Sequence, residues 1–247
     1  MIYLKLKNKK DFVANFLSPI SNLNDMCVLK ITNNNVSCTI AAADSTVVCR
    51  ADLECDVEVG SAESITLNIP DIKKLIRVLD IVPANEVSLA INNNNISYSE
   101  NGYKFRYHVL DDGIIKLPNI NVNKINNLEF DTNFTVNEKD IGMLFKGSSF
   151  TTETSKLYIY QDGDNISGEL GDKNRHNTDN FVCVLSDSYE GNLLSKPLAV
   201  NFESFRLLSF NGSREVNFRV NQEMGIITCA LKKGSVSLIY VVSALIN

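Results

Sequence analysis

An α+β fold of two similar domains follows from three features of the 247-residue sequence. The second half repeats the plan of the first at an offset of about 130 residues, far longer than the roughly 20–50 residues of a solenoid repeat. Many short runs alternate apolar and polar residues between Asn, Gly or Asp clusters, the pattern of half-buried antiparallel strands. Each half also holds two short segments with apolar residues at helical spacing. The order within each half is then helix, strands, helix, strands.

Strands are expected in the first half at 2–7, 26–32, 36–41, 46–53, 65–69, 86–92, 95–99 and 103–110, with helices near 9–18 and 71–80. The second half supplies strands at 129–135, 156–161, 165–170, 180–186, 197–202, 214–220, 225–231 and 235–242, with helices near 137–146 and 203–210. The repeat is visible residue by residue. Lys10-Asp11-Phe12 returns as Lys139-Asp140-Ile141, and Leu67-Asn68-Ile69 returns as Val200-Asn201-Phe202. Asn33 to Asn35, Asn92 to Asn95 and Asp162-Gly163-Asp164 read as hairpin turns, because Asn, Asp and Gly tolerate positive φ. The segment 111–128 lacks periodicity and carries Gly113 and Pro118, so it reads as a connector between a domain at 1–110 and another at 129–247.

With 44% hydrophobic residues the chain can bury two modest cores. Met1 to Lys7 alternates like a strand and unlike a signal peptide, and no apolar run reaches the ~20 residues that span a bilayer. The expectation is a soluble protein of the cytoplasm with no membrane partner. Six cysteines sit singly in apolar segments without a Cys-x-x-Cys pair, and read as reduced, buried thiols. The formal charge of −5 opposes nucleic-acid binding when taken globally, but a local cationic face can coexist with an acidic exterior.

Catalytic chemistry finds little support. His108 lies in an alternating strand and His176 in a polar loop, neither beside a nucleophile or a ligand set. Asp162 and Asp164 lack the further ligands of a calcium loop, and Gly168 to Lys173 has the wrong spacing for a phosphate loop. No enzyme activity, metal or cofactor is expected.

The helices are more informative. In 71–80, Ile72, Leu75, Ile76 and Leu79 share one face, and Lys73, Lys74 and Arg77 lie opposite. The first helix buries Phe12, Phe16 and Leu17 and begins with Lys9 and Lys10. The third buries Ile141, Leu144 and Phe145 and exposes Lys139 and Lys146, and the fourth exposes Arg206. Surface helices commonly carry lysines, but four cationic helix faces in an acidic chain suit a phosphate backbone.

On these residues the chain resembles DNA sliding clamps of the proliferating cell nuclear antigen type, and is most similar to those of T-even-like bacteriophages. The likeness rests on Ala42-Ala43-Asp44-Ser45-Thr46-Val47, Ile115-Lys116-Leu117-Pro118, the paired approaches to the second helices, and Tyr240-Val241-Val242-Ser243-Ala244-Leu245, in that order along the chain. The resemblance implies a non-enzymatic processivity factor in viral DNA replication: a head-to-tail homotrimer whose helices line a hole around double-stranded DNA. It would bind DNA without regard to sequence, tether DNA polymerase and be opened by a clamp loader, in the host cytoplasm if viral.

Two surfaces complete the expectation. Strand edges carrying Tyr103, Phe105, Tyr107 and Val109 in one domain, and Phe181, Val182 and Val184 in the other, would pair between subunits. Apolar residues of the connector and of the C-terminus would form a pocket for a partner peptide. The likeness assigns to it Ala43, Val47, Ile115, Leu117, Pro118, Tyr240, Val242 and Leu245. Alternative readings are a monomeric DNA-binding processivity factor of similar fold and, less favoured, a hydrolase or nuclease.

Overall fold

The computed structural model describes residues 2–58, 64–92, 94–118, 128–151, 155–173, 178–192, 194 and 196–245. The chain divides into two compact units, Met1–Asn119 with Lys232–Leu238, and Ile120–Leu231 with Ile239–Asn247. The expected second domain therefore gives up 232–238 to the first unit. Within that unit Asp11 Oδ2 accepts from the Ser235 amide and hydroxyl at 3.2 and 2.9 Å, and Glu54 N–H donates to Ser235 O at 3.0 Å.

The first unit contains β1 (Ile2–Leu6), β2 (Cys27–Thr32), β3 (Asn35–Ala41), β4 (Val47–Glu54), β5 (Asp56–Glu58), β6 (Ser64–Ile69), β7 (Val87–Asn92), β8 (Asn95–Glu100) and β9 (Tyr103–His108). They form two antiparallel arrays, ordered β5-β1-β7-β8-β9 and β4-β3-β2-β6. The second half of the chain contains β10 (Thr132–Asn137), β11 (Lys156–Asp162), β12 (Asn165–Leu170), β13 (Phe181–Ser186), β14 (Glu190–Gly191), β15 (Leu198–Asn201), β16 (Glu215–Asn221), β17 (Ile226–Lys233) and β18 (Val236–Ser243), of which 232–238 fall with the first unit. Its orders are β14-β10-β16-β17-β18 and β13-β12-β11-β15, the same plan strand for strand. The duplication thus extends to β5 and β14, short strands that sequence periodicity missed because two or three residues cannot display a period.

Turn chemistry sets the registers. Thr32 pairs with Asn35 and Asp162 with Asn165, each closing a two-residue turn, and Gly163 takes φ 62°. Asn101 and Gly102 close β8 and β9 with φ 53° and 81°, the double positive φ of a type I′ hairpin. The triplet-rich Asn92 to Asn95 turn is closed by an Asn92–Asn95 pair, with Asn93 outside the described residues.

Helices cover the apolar sheet faces. A wide, π-type helix at Asp11–Leu17 runs into a short α-helix at Ser18–Ser21, burying Phe12, Phe16, Leu17 and Ile20. The helix Ile72–Ile81 buries Ile72, Leu75 and Leu79, and Asp71 caps its start by accepting from Lys74 N–H at 2.7 Å. In the second unit the helix Glu138–Gly147 lies so close to β13 that a Cβ on Gly147 would sit 2.1 Å from the Phe181 ring. The last helix, expected to reach 210, ends at Arg206. Phe205, Leu208 and Phe210 are all buried, and a continuous helix could not turn every one of them inward.

The six thiols are free; Cys27, Cys38, Cys49 and Cys229 are buried and Cys55 and Cys183 partly so. Burial pushes the Cys49 and Cys229 thiols well above their ordinary range.

Lys9 departs from its expected role. Its Nζ donates to Leu79 O at 3.1 Å and to Val82 O, satisfying the terminal carbonyls of the 72–81 helix. Tyr107 is also turned inward: its hydroxyl donates to Asp71 O at 2.7 Å and accepts from Asp71 N–H at 3.1 Å. Its ring therefore belongs to the core, because this anchor draws it beneath the helix start, and a part in the expected β9 edge contact would fall to its backbone.

Lys9→Met should lower unfolding free energy by about 1–2 kcal/mol through loss of charge-assisted bonds at a helix C-terminus, read from the urea midpoint. Alkaline pH should also destabilise the protein. Burial pushes the Tyr107 phenol from 10.0 to about 12, so over that interval the unfolded chain binds fewer protons than the native one, and stability falls as pH rises. Tyr107→Phe should flatten the fall between pH 10 and about 12 in urea titrations; an unchanged slope would exclude this cause.

Candidate functional site

The outer faces of the helices carry the remaining expected cations. Lys10, Lys73, Lys74, Arg77, Lys139, Lys146 and Arg206 are all exposed. Their electrostatic states differ. Lys73 pairs with Asp25 at 2.8 Å, and Arg77 lies 3.9 Å from Asp71, both at exposed positions where water screens the pair. Arg206 is held in place: Nη2 donates to Ser148 Oγ at 2.8 Å, Nε lies 3.4 Å from Glu203, and the guanidinium sits 4.7 Å over the Phe202 ring. Lys10, Lys74, Lys139 and Lys146 have no acidic partner among the described residues. Long, flexible and uncommitted ammonium groups suit a diffuse phosphate interaction better than a fixed ion-pair site.

The strand edges are the second feature. Among the described residues β9 and β13 each pair on one side alone. Val182 and Val184 stand on the outer face of β13, 47% and 48% exposed, and Tyr103 is 43% exposed at the start of β9. Phe105 stacks on Tyr98 at 5.8 Å and Phe181 covers Gly147, so both rings are partly used within their own unit.

A groove of about 440 Å³ with a mixed apolar and polar lining is the third feature, in the first unit. The connector Ile114 to Pro118 lines it together with Asn24, Met26, Cys27, Val28, residues 39–43 and Ser45. Leu117 is 61% exposed, Ile114 58% and Met26 45%, a large apolar surface for so short a stretch. The turn at its rim is closed by hydrogen bonds. Asp44 Oδ1 accepts from the Thr46 amide and hydroxyl at 3.0 and 2.8 Å, Ala42 N–H donates to Val47 O at 2.9 Å, and Ser45 takes φ 59°.

Of the expected pocket residues, Ala43, Ile115, Leu117 and Pro118 line this groove. Val47, Tyr240 and Val242 do not, since each is at most 1% exposed. Period-two alternation points these three side chains to the core face of their strands. Tyr240 packs against Phe210 at 6.4 Å and its hydroxyl accepts from Ser209 N–H. Leu245 is partly exposed, with its amide donating to Ala199 O, and is not a lining residue. Met26, Cys27, Val28 and Ile40 were missed. Met26 alone left a signal: a large apolar residue beside Asp25, ahead of the first residue of a buried strand.

Among the described residues no three His, Cys, Asp or Glu side chains are placed to hold a metal, and no helix is long and apolar enough to cross a membrane. His108 is exposed on β9, and His176 lies outside the described residues.

No protein-family model matches the sequence, and no curated protein matches it. Solved structures do. The structure of the C-terminal region of FEN-1 bound to A. fulgidus PCNA is similar at a TM-score of 0.76 and 11% identity, over 100% of this chain and 99% of that one. Proliferating cellular nuclear antigen from Entamoeba histolytica is similar at a TM-score of 0.78 and 14% identity, over 99% of each chain. The chain therefore has the α+β fold of these clamps across its length.

Proposed function

We propose that the protein is a sliding clamp: a non-enzymatic processivity factor that encircles double-stranded DNA and tethers DNA polymerase and other replication proteins. The carrying observation is the clamp fold matched end to end, in a chain whose four uncommitted lysines lie on helix faces. Duplex DNA bears one charge per about 1.7 Å of axis, and mobile ammonium groups attract it without reading bases. Such contacts have no preferred register, so a ring can move along the duplex. Encirclement, and not affinity, then provides retention.

The ring is a homotrimer in this reading, closed by head-to-tail pairing of β9 with β13 of the next subunit, a heterologous contact that closes when the rotation permits. Phe105, Val109, Tyr103, Phe181, Val182 and Val184 are the proposed contact residues. A separate clamp loader opens the ring. The groove beneath Leu117 takes a short hydrophobic or aromatic peptide from the partner. The bound FEN-1 segment in the A. fulgidus structure supports this mode of partner capture. The likeness to T-even-like phage clamps supports a bacteriophage source and action in the host cytoplasm.

Light scattering should give three times the 27.5 kDa chain mass at micromolar concentration. Val182→Glu with Val184→Glu should shift it toward monomer without unfolding, because both side chains are exposed; a monomeric wild type would favour the monomeric DNA-binding alternative. Lys74→Glu, Lys139→Glu and Lys146→Glu together should leave the mass intact and abolish polymerase stimulation. Wild-type protein loaded on circular DNA should survive a salt challenge and be released when the circle is cut. Leu117→Ala should cost about 1–3 kcal/mol of partner-peptide affinity by calorimetry, as for an anchor in a pocket, and leave DNA retention unchanged. Unaltered peptide binding would place the partner site elsewhere.

A further inference from the structure

The connector wall of the groove needs something to hold it. Among the described residues no backbone hydrogen bond joins 111–118 to the domain, and Ile114, Lys116 and Leu117 are exposed. A segment so loosely attached would sample many positions, and a peptide binding against it would have to order it at a cost to affinity.

One residue stands at the junction. Asn68 is only 3% exposed, an amide buried in β6, the outer strand of its array. On one side it pairs with Val28 of β2, which lines the groove. On the other, its carbonyl accepts the Leu110 N–H at 2.9 Å in an isolated antiparallel bridge. Its side-chain Nδ2 then donates to Asp112 Oδ1 at 2.9 Å. Gly113 follows with φ 82°, a left-handed turn with open space around its Cα, and sends the chain into Ile114 to Pro118.

We infer that Asn68 is the positioning residue of the partner groove, acting through Asp112 to hold the connector side of the lining at a fixed place relative to Val28 on β2. This rests on the reading of the groove as a peptide site. A single residue couples the two because one edge of its backbone pairs with Val28 on β2, while its carbonyl and its side chain both hold the 110–112 stretch. Among the described residues, the Asn68–Asp112 bond is the one side-chain tie from 111–118 to the domain. Its acceptor is a carboxylate, which strengthens the bond relative to a neutral pair.

The test uses the full chain and a fluorescein-labelled peptide, selected from a random display library on wild-type protein and not bound by Leu117→Glu. Asp112→Ala, which changes an exposed side chain, and Asn68→Ala should each raise the peptide Kd about tenfold, as expected when a preorganised wall is released. Methyl order parameters of Ile114, Ile115 and Leu117 should fall in the same variants without peptide present. The exchanged pair Asn68→Asp with Asp112→Asn keeps an amide–carboxylate bond in reverse and should restore both readouts in part, which a purely structural loss would not do. Wild-type Kd in Asp112→Ala, or unchanged methyl order, would overturn the inference. If no peptide meets the selection, the groove reading fails, and the methyl order of the free variants still decides whether Asn68 fixes the wall.

Discussion

Antiparallel strands with a period of two present one apolar face to be covered, and in this protein that face is covered by short helices. Each helix must therefore spend its apolar side inward, on residues such as Phe16, Leu75, Leu144 and Phe205. What remains outward is polar by construction. Lysines on those outer faces cost nothing in burial and keep their hydration, so the same constraint that closes the cores also produces cationic helix surfaces on an acidic chain. The two units repeat this solution with the same strand order, including the short strands β5 and β14 that flank β1 and β10.

Buried hydrogen bonds do the work that apolar packing leaves undone. Lys9, Asp11, Asn68 and Tyr107 each reach across at least 36 residues to satisfy a helix end, a turn, the connector or a cap. Every one of these contacts joins segments that hydrophobic burial alone would leave free to slide, since burial is non-directional. An unpaired polar group in such a place costs about 1–3 kcal/mol, which is why these side chains are fully used. The Lys9 ammonium, committed to Leu79 O and Val82 O, is thereby drawn away from the outer helix face.

The groove shows the converse. Its lining ends on one side at the hydrogen-bonded Asp44 turn and includes a stretch of connector with large apolar side chains in water. In the proposed reading as a partner site, a hydrogen-bonded rim facing exposed apolar side chains on a tethered connector suits more than one partner sequence, because those side chains can adapt while the frame stays in register.

Sequence alone determined the duplication, the fold class and most strands, because period-two alternation and Asn/Gly turns are local properties written into consecutive residues. It also singled out Ile115, Leu117 and Pro118, through apolar residues in a segment without secondary-structure period, while Ala43 came from the resemblance alone. Only tertiary structure decided the fate of individual side chains. That Lys9 faces Leu79 and Val82, that Tyr107 meets Asp71, and that Val47, Tyr240 and Val242 point inward are set by elements distant in sequence. So are the early stop of the last helix at Arg206 and the membership of 232–238 in the first unit. Local pattern fixes which faces a strand or helix has; the identity of the partner on each face is fixed by long-range packing, which no local period encodes.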